Sequence, residues 1–206
     1  HPAAQRLLRW DRRGLLRGPL TEKTAPFWRA AYSRAFTEEI RAAAEAEDLE
    51  PLLLTALARE ESTFDPEIVS WAGATGLAQL MPPTAAEAWA SVFGGRLDPE
   101  QLLDPALNLR LGAHVLKEGL RTFGGVEPLA LSAYNGGAGL TERTLPSRVR
   151  RFEVWAEMNP VKENRGYVKR VTGTWGIYRL LYDPDHAGPR LPRTVGPGDA
   201  VRYRAR

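Results

Sequence analysis

Arg59-Glu60-Glu61-Ser62 closes an apolar run that begins at Pro51, and it is followed by a glycine-rich loop, Gly73-Ala74-Thr75-Gly76-Leu77-Ala78-Gln79-Leu80-Met81-Pro82. Apolar residues in this run recur at helical spacing. In the chain as a whole they recur mostly at that spacing and almost never alternate over the length of a strand. The sequence therefore predicts an all-α fold, with two adjacent acids near the end of one helix and an amide on the loop after it.

Start and stop signals predict further helices on both sides of this stretch. An acid precedes proline at positions 50–51, 98–99 and 104–105, and proline suits the first position of a helix, where its missing N–H does no harm. We expect one helical domain over residues 37–183. Residues 1–36 are expected to pack on it as an N-terminal arm, and the Pro/Gly/Arg-rich residues 184–206 to form an extended tail. The predicted helices cover residues 38–46, 105–123, 127–134, 147–157 and 163–182, besides the one that begins at Pro51.

Composition excludes several classes of function. The 206 residues contain no cysteine, which rules out disulfides, thiol catalysis and zinc-thiolate sites within them. The net charge of +3 comes from interspersed acids and bases, so no nucleic acid partner is expected. No apolar run approaches the roughly 20 residues that span a bilayer. The three histidines, His1, His114 and His186, are too scattered for a metal site, and we expect neither a metal nor a cofactor. The chain begins at a histidine and is expected to be a mature or trimmed form.

The two acids both fall on the apolar side of a helical wheel. A carboxyl that faces leucine side chains loses hydration, so its pKa rises and it can stay protonated as a general acid, which cleavage of a glycosidic bond requires. At about 100° per residue, Glu60 and Glu61 flank the apolar centre equally, so the wheel does not choose between them. An ion pair of one or both acids with Arg59, or with another surface base, is the alternative.

Four blocks of sequence, in this order, resemble the soluble lytic transglycosylases of bacterial cell walls, the goose-lysozyme-like SLT family. The blocks are residues 58–62, 73–85, 133–137 and 163–168, and the similarity extends over roughly residues 36–182. The resemblance implies a lysozyme-like helical catalytic domain. In that family the acid directly before the serine is the catalyst, which corresponds to Glu61. Two positions depart from the family pattern: Ala78 stands where methionine is usual, and Gly136 where alanine is common.

The resemblance also implies a reaction. Glu61 would protonate the oxygen of the β-1,4 bond between N-acetylmuramic acid and N-acetylglucosamine. The ionised carboxyl would then take the proton of the 6-hydroxyl as that oxygen closes on the anomeric carbon, which gives a 1,6-anhydro product without water. No second carboxylate is needed, and Asp65 is expected to serve a turn.

The same family positions imply the substrate-binding residues Ser70, Gln79, Met81, Tyr134, Asn135, Glu163 and Tyr167. The phenol of Tyr134 is expected to bond the catalytic carboxyl, and the amide of Asn135 to hold an acetamido group; an ordinary helix end is the alternative for both. Glu163 has surface pairing with Arg165 or Lys169 as its alternative.

Three further residues have structural or mixed interpretations. Asn108 and Gly112 are expected to serve the fold, and Gly112 would allow a close helix approach. Trp71 would either offer a sugar-stacking face near the cleft or pack against the surface of the fold.

Two other functions remain open from the sequence. A goose-type lysozyme or chitinase on the same fold would use water, with a second carboxylate such as Glu60 or Asp65 as its base. An inactive peptidoglycan-binding module would need no acid. In each case the expected partners are peptidoglycan glycan strands, the expected location is the bacterial envelope, periplasmic or wall-associated, and the expected state is a monomer.

Overall fold

Helices form nearly all of the secondary structure. The computed structural model describes residues 18–148, 150–183, 185 and 194–196. Residues 1–17 of the predicted N-terminal arm and most of the predicted tail lie outside these described residues. The described part contains α1 (Ala25–Ala31), α2 (Thr37–Ala46), α3 (Pro51–Ser62), α4 (Pro82–Val92), a 3₁₀ helix (Pro99–Leu103), α5 (Pro105–Thr122), α6 (Glu127–Gly136), α7 (Ala138–Thr144), β1 (Arg150–Arg151), α8 (Phe152–Met158), α9 (Lys162–Tyr182) and β2 (Thr194–Val195).

The all-α prediction is confirmed, and the main correction concerns residues 147–151. A helix was expected to begin at Ser147, but α8 begins only at Phe152. The two arginines before it form β1, which pairs antiparallel with β2 from far along the chain. Helical periodicity cannot reveal such a pairing, because its partner is distant in sequence. Helices α1 and α4 and the short helix α7 were also not predicted.

Helix α3 carries the two acids and packs against α2 and α9. Pro51 occupies the first turn of α3, and most leucine and alanine side chains of this helix are buried. The helix ends directly after the acids, where Thr63 adopts a left-handed conformation with φ 54°. Ser62 stabilises this end, since its hydroxyl donates to the Ala58 carbonyl at 2.8 Å and accepts from the Phe64 amide at 3.1 Å. The acid-serine pair therefore lies where the helix gives way to a loop.

Helices α5, α6 and α9 enclose the other side of the site. Helix α5 packs against α2, α4 and α6, and α6 packs in turn against α9. Gly112 on α5 does allow a close approach, but the neighbour is the glycine-rich loop, because a Cβ at this position would lie 2.5 Å from the Cβ of Ala78. Within the described ranges, no helix combines the length and apolar character that a bilayer span requires.

Candidate active site

A cleft of about 340 Å³ opens beside the end of α3. One wall is the loop of residues 70–81, and the other comes from the end of α6 and the start of α9. All but one of the residues predicted for the site line this cleft, namely Glu61, Ser70, Gln79, Met81, Tyr134, Asn135 and Glu163. The exception, Tyr167, is only 3% exposed and lies beneath the Glu61 carboxyl instead of on the wall.

Glu61 is held in a partly protonated state at neutral pH. Burial raises the pKa of its carboxyl to about 7. The phenol of Tyr167 donates a 2.6 Å hydrogen bond to Oε1 and opposes this rise, as does the charge of Arg170. The negative charges of Glu60 and Glu163 add to it. A carboxyl with this pKa can give up a proton and later take one back near pH 7.

Contacts resolve the choice between the two acids that the helical wheel leaves open. Glu60 is committed to α9, because the Thr174 hydroxyl donates to its Oε1 at 2.7 Å and Arg170 Nε lies 3.8 Å from its Oε2. Arg59, the proposed partner in the alternative, is buried with its guanidinium over the Tyr32 ring, 4.4 Å from the centroid. Glu61 is thus the acid that faces the cleft.

The phenol expected on the catalytic carboxyl comes from a different residue. Tyr134 donates its hydrogen bond to the Ala78 carbonyl at 2.7 Å, whereas Tyr167 donates to Glu61. Burial raises the pKa of Tyr134 well above its usual value, so the phenol stays protonated as a donor. Tyr134 therefore fastens α6 to the loop across the cleft. The family resemblance predicted both tyrosines for the site, but it did not indicate which of them bonds Glu61.

Asn108 fixes the shape of the loop from below. Its Oδ1 accepts from the Ala78 amide at 2.7 Å, and its Nδ2 donates to the carbonyls of Thr75 at 3.0 Å and Leu102 at 2.9 Å. The backbone of Gly76 packs against the side-chain amide of Asn108 and has φ +78°. A Cβ at position 76 would lie 2.3 Å from Asn108 Nδ2. Only glycine fits this position. The prediction that Asn108 serves the fold agrees with these contacts.

Gln79 is held in a strained backbone conformation with φ 47°. Its side-chain Nε2 donates to the carbonyls of Ile68 at 3.1 Å and Gly76 at 2.9 Å, so the loop uses both amide hydrogens. The Oε1 atom remains as an acceptor on the cleft side. Ser70 Oγ accepts from the Ala74 amide at 2.9 Å, which leaves its hydroxyl proton to be donated. Strained residues of this kind cluster at functional sites.

Asn164 orients Asn135, a role that sequence reasoning missed. Asn164 Nδ2 donates to Asn135 Oδ1 at 3.0 Å and to the Ser132 carbonyl at 2.8 Å. With its oxygen engaged in this way, Asn135 offers its NH₂ group to the cleft. The only signal was the place of Asn164 directly after Glu163 in the fourth block. A Cβ at Gly136 would lie 2.3 Å from Leu140 Cδ2 and 2.9 Å from Asn164 Nδ2, which explains why the usual alanine is absent.

Glu163 stands at the exposed start of α9 and borders both the cleft and a second groove. The bases suggested as its partners bind elsewhere. Arg165 donates to the carbonyls of Glu157 and Asn159, and Lys169 pairs with the Glu157 carboxylate at 2.5 Å. The alternative in which Glu163 serves only a surface ion pair with them is therefore not found. No group of three or more potential His, Asp or Glu metal ligands occurs among the residues that the structure describes.

Trp71 lines the cleft and is fully exposed, with a relative exposure of 101%. The alternative interpretation, a tryptophan packed on the surface, is not what the structure shows.

Residues 38–151, more than half of the chain, match the protein family described as the transglycosylase SLT domain. This chain belongs to the SLT family. The chain is 37% identical over 130 residues to the soluble lytic murein transglycosylase of Escherichia coli K12, covering 61% of this chain and 20% of that protein. The enzyme of the same name from Salmonella typhimurium is 35% identical over 153 residues, covering 72% of this chain and 23% of that one. This chain thus spans about a fifth to a quarter of these relatives.

Solved structures agree with the SLT assignment. The lytic transglycosylase Slt of Pseudomonas aeruginosa, determined as an inactive mutant with glutamine in place of a glutamate, superposes with a TM-score of 0.76 at 29% identity. The match covers 94% of this chain and 32% of that one. The lysozyme-like helical fold implied by the four sequence blocks is confirmed.

Proposed function

We propose that this chain is a peptidoglycan lytic transglycosylase that cleaves the β-1,4 bond between N-acetylmuramic acid and N-acetylglucosamine. The observation that carries the proposal is Glu61, a carboxyl with a pKa near 7, bonded to the phenol of Tyr167 and open to a cleft of sugar size. Family membership and the names of the relatives point to the same reaction.

In the first step, protonated Glu61 donates to the oxygen of the scissile bond, and the leaving N-acetylglucosamine departs as an alcohol. The acetamido oxygen of the muramic sugar stabilises the positive charge that develops on the anomeric carbon. The hydroxyl of Ser70 and the NH₂ of Asn135 are donors suited to that oxygen. The Oε1 of Gln79 is an acceptor suited to the acetamido N–H or to a hydroxyl.

In the second step, the carboxylate of Glu61 takes the proton of the 6-hydroxyl of the muramic sugar. The 6-oxygen then bonds to the anomeric carbon, so the proton returns to Glu61 and no water is consumed. The phenol of Tyr167 stabilises the ionised form between the two steps through a charge-assisted hydrogen bond. One carboxyl therefore serves as acid and then as base.

Digestion of purified peptidoglycan by matched variants tests the proposal. Glu61→Gln removes the acid and keeps the shape, and we expect it to lower the rate by about 10²–10⁴-fold, the usual contribution of a general acid-base group. Glu60→Gln is the matched control, since it changes the adjacent acid that Thr174 and Arg170 hold away from the cleft. Equal activity loss in both variants would argue for disturbed folding and against this assignment.

Product mass separates this reaction from hydrolysis. Mass spectrometry should find muropeptides lighter by one water than hydrolytic products. The distinction matters because Glu163 also lines the cleft and is the carboxylate that a water-activating mechanism would use. Hydrated reducing ends from the unaltered protein would identify a lysozyme-type hydrolase and overturn the transglycosylase proposal.

The proposal also covers the partner and the location of the protein. Peptidoglycan glycan strands are the partner, and the bacterial cell envelope, periplasmic or at the wall, is the place of action, in keeping with relatives named murein transglycosylases. We further propose that the chain acts as a monomer, without nucleic acid. Sedimentation at working concentration would reveal a dimer if one forms.

A further inference from the structure

The exposure of Trp71 separates it from the other tryptophans in the described part of the chain. Trp28, Trp89, Trp155 and Trp175 are buried or half-buried, whereas the indole of Trp71 stands entirely in solvent. A single exposed apolar side chain is common on protein surfaces, so what distinguishes this indole is its position in the lining of the cleft. An indole in this state, at the edge of a cleft, is typical of a binding surface.

The backbone holds Trp71 in one place. The amide of Ser70 donates to the Ala74 carbonyl at 2.8 Å, and the amide of Gly73 donates to the Ser70 carbonyl at 2.9 Å. Ser70 Oγ accepts from the Ala74 amide on the same turn. The bridge between Val69 and Thr75 closes the base of the turn. A side chain on such a turn loses little backbone freedom when a ligand binds, so its contact area converts efficiently into affinity.

The cleft offers two chemically different sides. Trp71 and the exposed side chain of Met81 give the loop wall an apolar surface, while Asn135 and Glu163 make the opposite wall polar. A pyranose ring has the same division, since its axial C–H groups form an apolar face and its hydroxyl and acetamido groups project from the rim. The apolar patch of Trp71 and Met81 on the loop wall therefore suits the face of a sugar, and the polar groups of the cleft, including Ser70 and Gln79 on the same wall, suit its substituents.

We propose that Trp71 forms a sugar-stacking subsite, in which the indole packs against the C–H face of an N-acetylated hexose of the bound glycan. This inference rests on the proposed function, because it takes the cleft to bind a glycan strand. Trp71 would hold a sugar of the strand while Glu61 acts on the linkage, so it is a substrate-binding residue and not a catalytic one.

The sharpest test measures binding without turnover. In a Glu61→Gln background, a soluble β-1,4-linked tetramer of N-acetylglucosamine is titrated while tryptophan fluorescence is quenched with acrylamide. We expect the tetramer to shield a quencher-accessible tryptophan, and this shielding to disappear when Trp71→Phe is added. Replacing the indole by Trp71→Ala should raise the Kd about 10- to 100-fold, as truncation of a tryptophan anchor does. Unchanged shielding and Kd in these variants would overturn the subsite.

Two controls keep the outcome specific. Met158→Ala removes another exposed apolar side chain, on α8 and outside the cleft, and should leave the Kd unchanged. For the active protein, Trp71→Ala should raise KM on soluble glycan strands and leave kcat within about threefold, since the side chain does not touch the reacting atoms. A fall in kcat together with a lower melting temperature would show a structural role and refute the proposal.

The same measurements separate the two proposals of this article. Tetramer binding that shields Trp71, together with hydrated products, would refute the transglycosylase reaction and leave the subsite standing. Anhydro products together with an unshielded Trp71 would do the reverse.

Discussion

The burial that suits Glu61 to its proposed role also costs stability. A carboxyl that is hard to ionise suits the proposed reaction, because it stays protonated and can act as the acid. Burial makes Glu61 hard to ionise, and the same burial destabilises the folded protein whenever the carboxyl is charged. The same side chain therefore makes predictions about unfolding as well as about catalysis.

We predict that Glu61→Gln stabilises the protein at alkaline pH. The folded pKa of about 7 lies above the ordinary value of 4.5, so the folded state binds more protons between these values. The stability of the unaltered protein is then complete below pH 4.5 and falls as pH rises through about 7. Glutamine does not ionise, so the variant does not lose this stability. Urea unfolding should show no gain near pH 4 and a gain of up to about 3 kcal/mol at pH 8.

The control for this measurement is Glu60→Gln, which removes only one of the charges that raise the pKa of Glu61, so its gain between pH 4 and pH 8 should be smaller than that of Glu61→Gln. A Glu61→Gln gain that is equal at pH 4 and pH 8 would contradict a raised pKa at this carboxyl.

Tyr167→Phe is predicted to move the pH profile of activity. The phenol stabilises the ionised form of Glu61, so its loss raises the pKa further, and the alkaline limb of kcat against pH shifts to higher pH. The maximal rate should fall about tenfold or more, because a charge-assisted hydrogen bond of about 1.5–3 kcal/mol is lost in the ionised state. The control is Tyr178→Phe, which removes a phenol on the same helix. That phenol donates to the Ser33 carbonyl, so its loss should leave the alkaline limb of the activity profile unchanged.

At this scale, the sequence predicts residue types better than bonds. The wheel placed both acids toward apolar surface, and the family resemblance selected Glu61. The donor on its carboxyl was expected to be Tyr134 and is Tyr167, because hydrogen-bond partners depend on packing between helices that lie far apart in the chain. The anchoring of Glu60 by Thr174 was likewise invisible, since the two residues are 114 positions apart.

At the scale of elements, the loop of residues 70–81 is shaped by the residues that lie under it. Helix α5 supplies Asn108, which satisfies three backbone groups, and Gly112, on which Ala78 rests. Tyr134 on α6 binds the Ala78 carbonyl from the other side. A small residue at position 78 is therefore matched to the glycine beneath it.

Two glycine-to-alanine changes in helices are predicted to change the free energy of unfolding in opposite directions. Gly112→Ala would place its Cβ 2.5 Å from that of Ala78 and 3.3 Å from the Tyr134 hydroxyl, so the loop must move. We expect a loss of about 1–3 kcal/mol, as for other overpacked sites, and lower activity. Gly173→Ala on α9 meets no atom within 4 Å and should gain about 0.4–1 kcal/mol.

Urea unfolding of the two variants, with peptidoglycan digestion alongside, checks this pair. If Gly112→Ala were as stable and active as the unaltered protein, the loop would not depend on contact with α5. Helix positions themselves were predictable from the proline and acid signals at residues 50–51 and 104–105, whereas the shape of the loop was not, since it depends on Asn108, 30 positions beyond Ala78.

At the scale of the whole molecule, the two ends of the described region return to the core. Tyr182 donates to the Tyr32 carbonyl at 3.0 Å, which joins the end of α9 to the segment after α1. Further on, Val195 in β2 is fully buried, although it falls within a stretch expected to form a tail. Local composition, rich in proline and glycine, could not predict this docking.

Truncation tests the contribution of β2. A chain that ends at residue 183 loses the pairing with β1 and the buried side chain of Val195, and we expect its unfolding free energy to fall by about 1–3 kcal/mol. A chain that ends at residue 196 keeps both and should match the full chain in urea unfolding. Equal midpoints for all three chains would show that β2 adds nothing to stability.

The position of Glu61 within α3 has one more consequence. The acid lies in the last turn of the helix, which ends at Ser62. Aligned peptide dipoles leave this end with a partial negative charge, which opposes a second negative charge on the carboxylate. This opposition comes from the direction of the backbone and not from any side chain. Substitutions around the cleft can therefore change how readily Glu61 gives up its proton. The contribution of the helix dipole to holding that proton remains as long as α3 is folded.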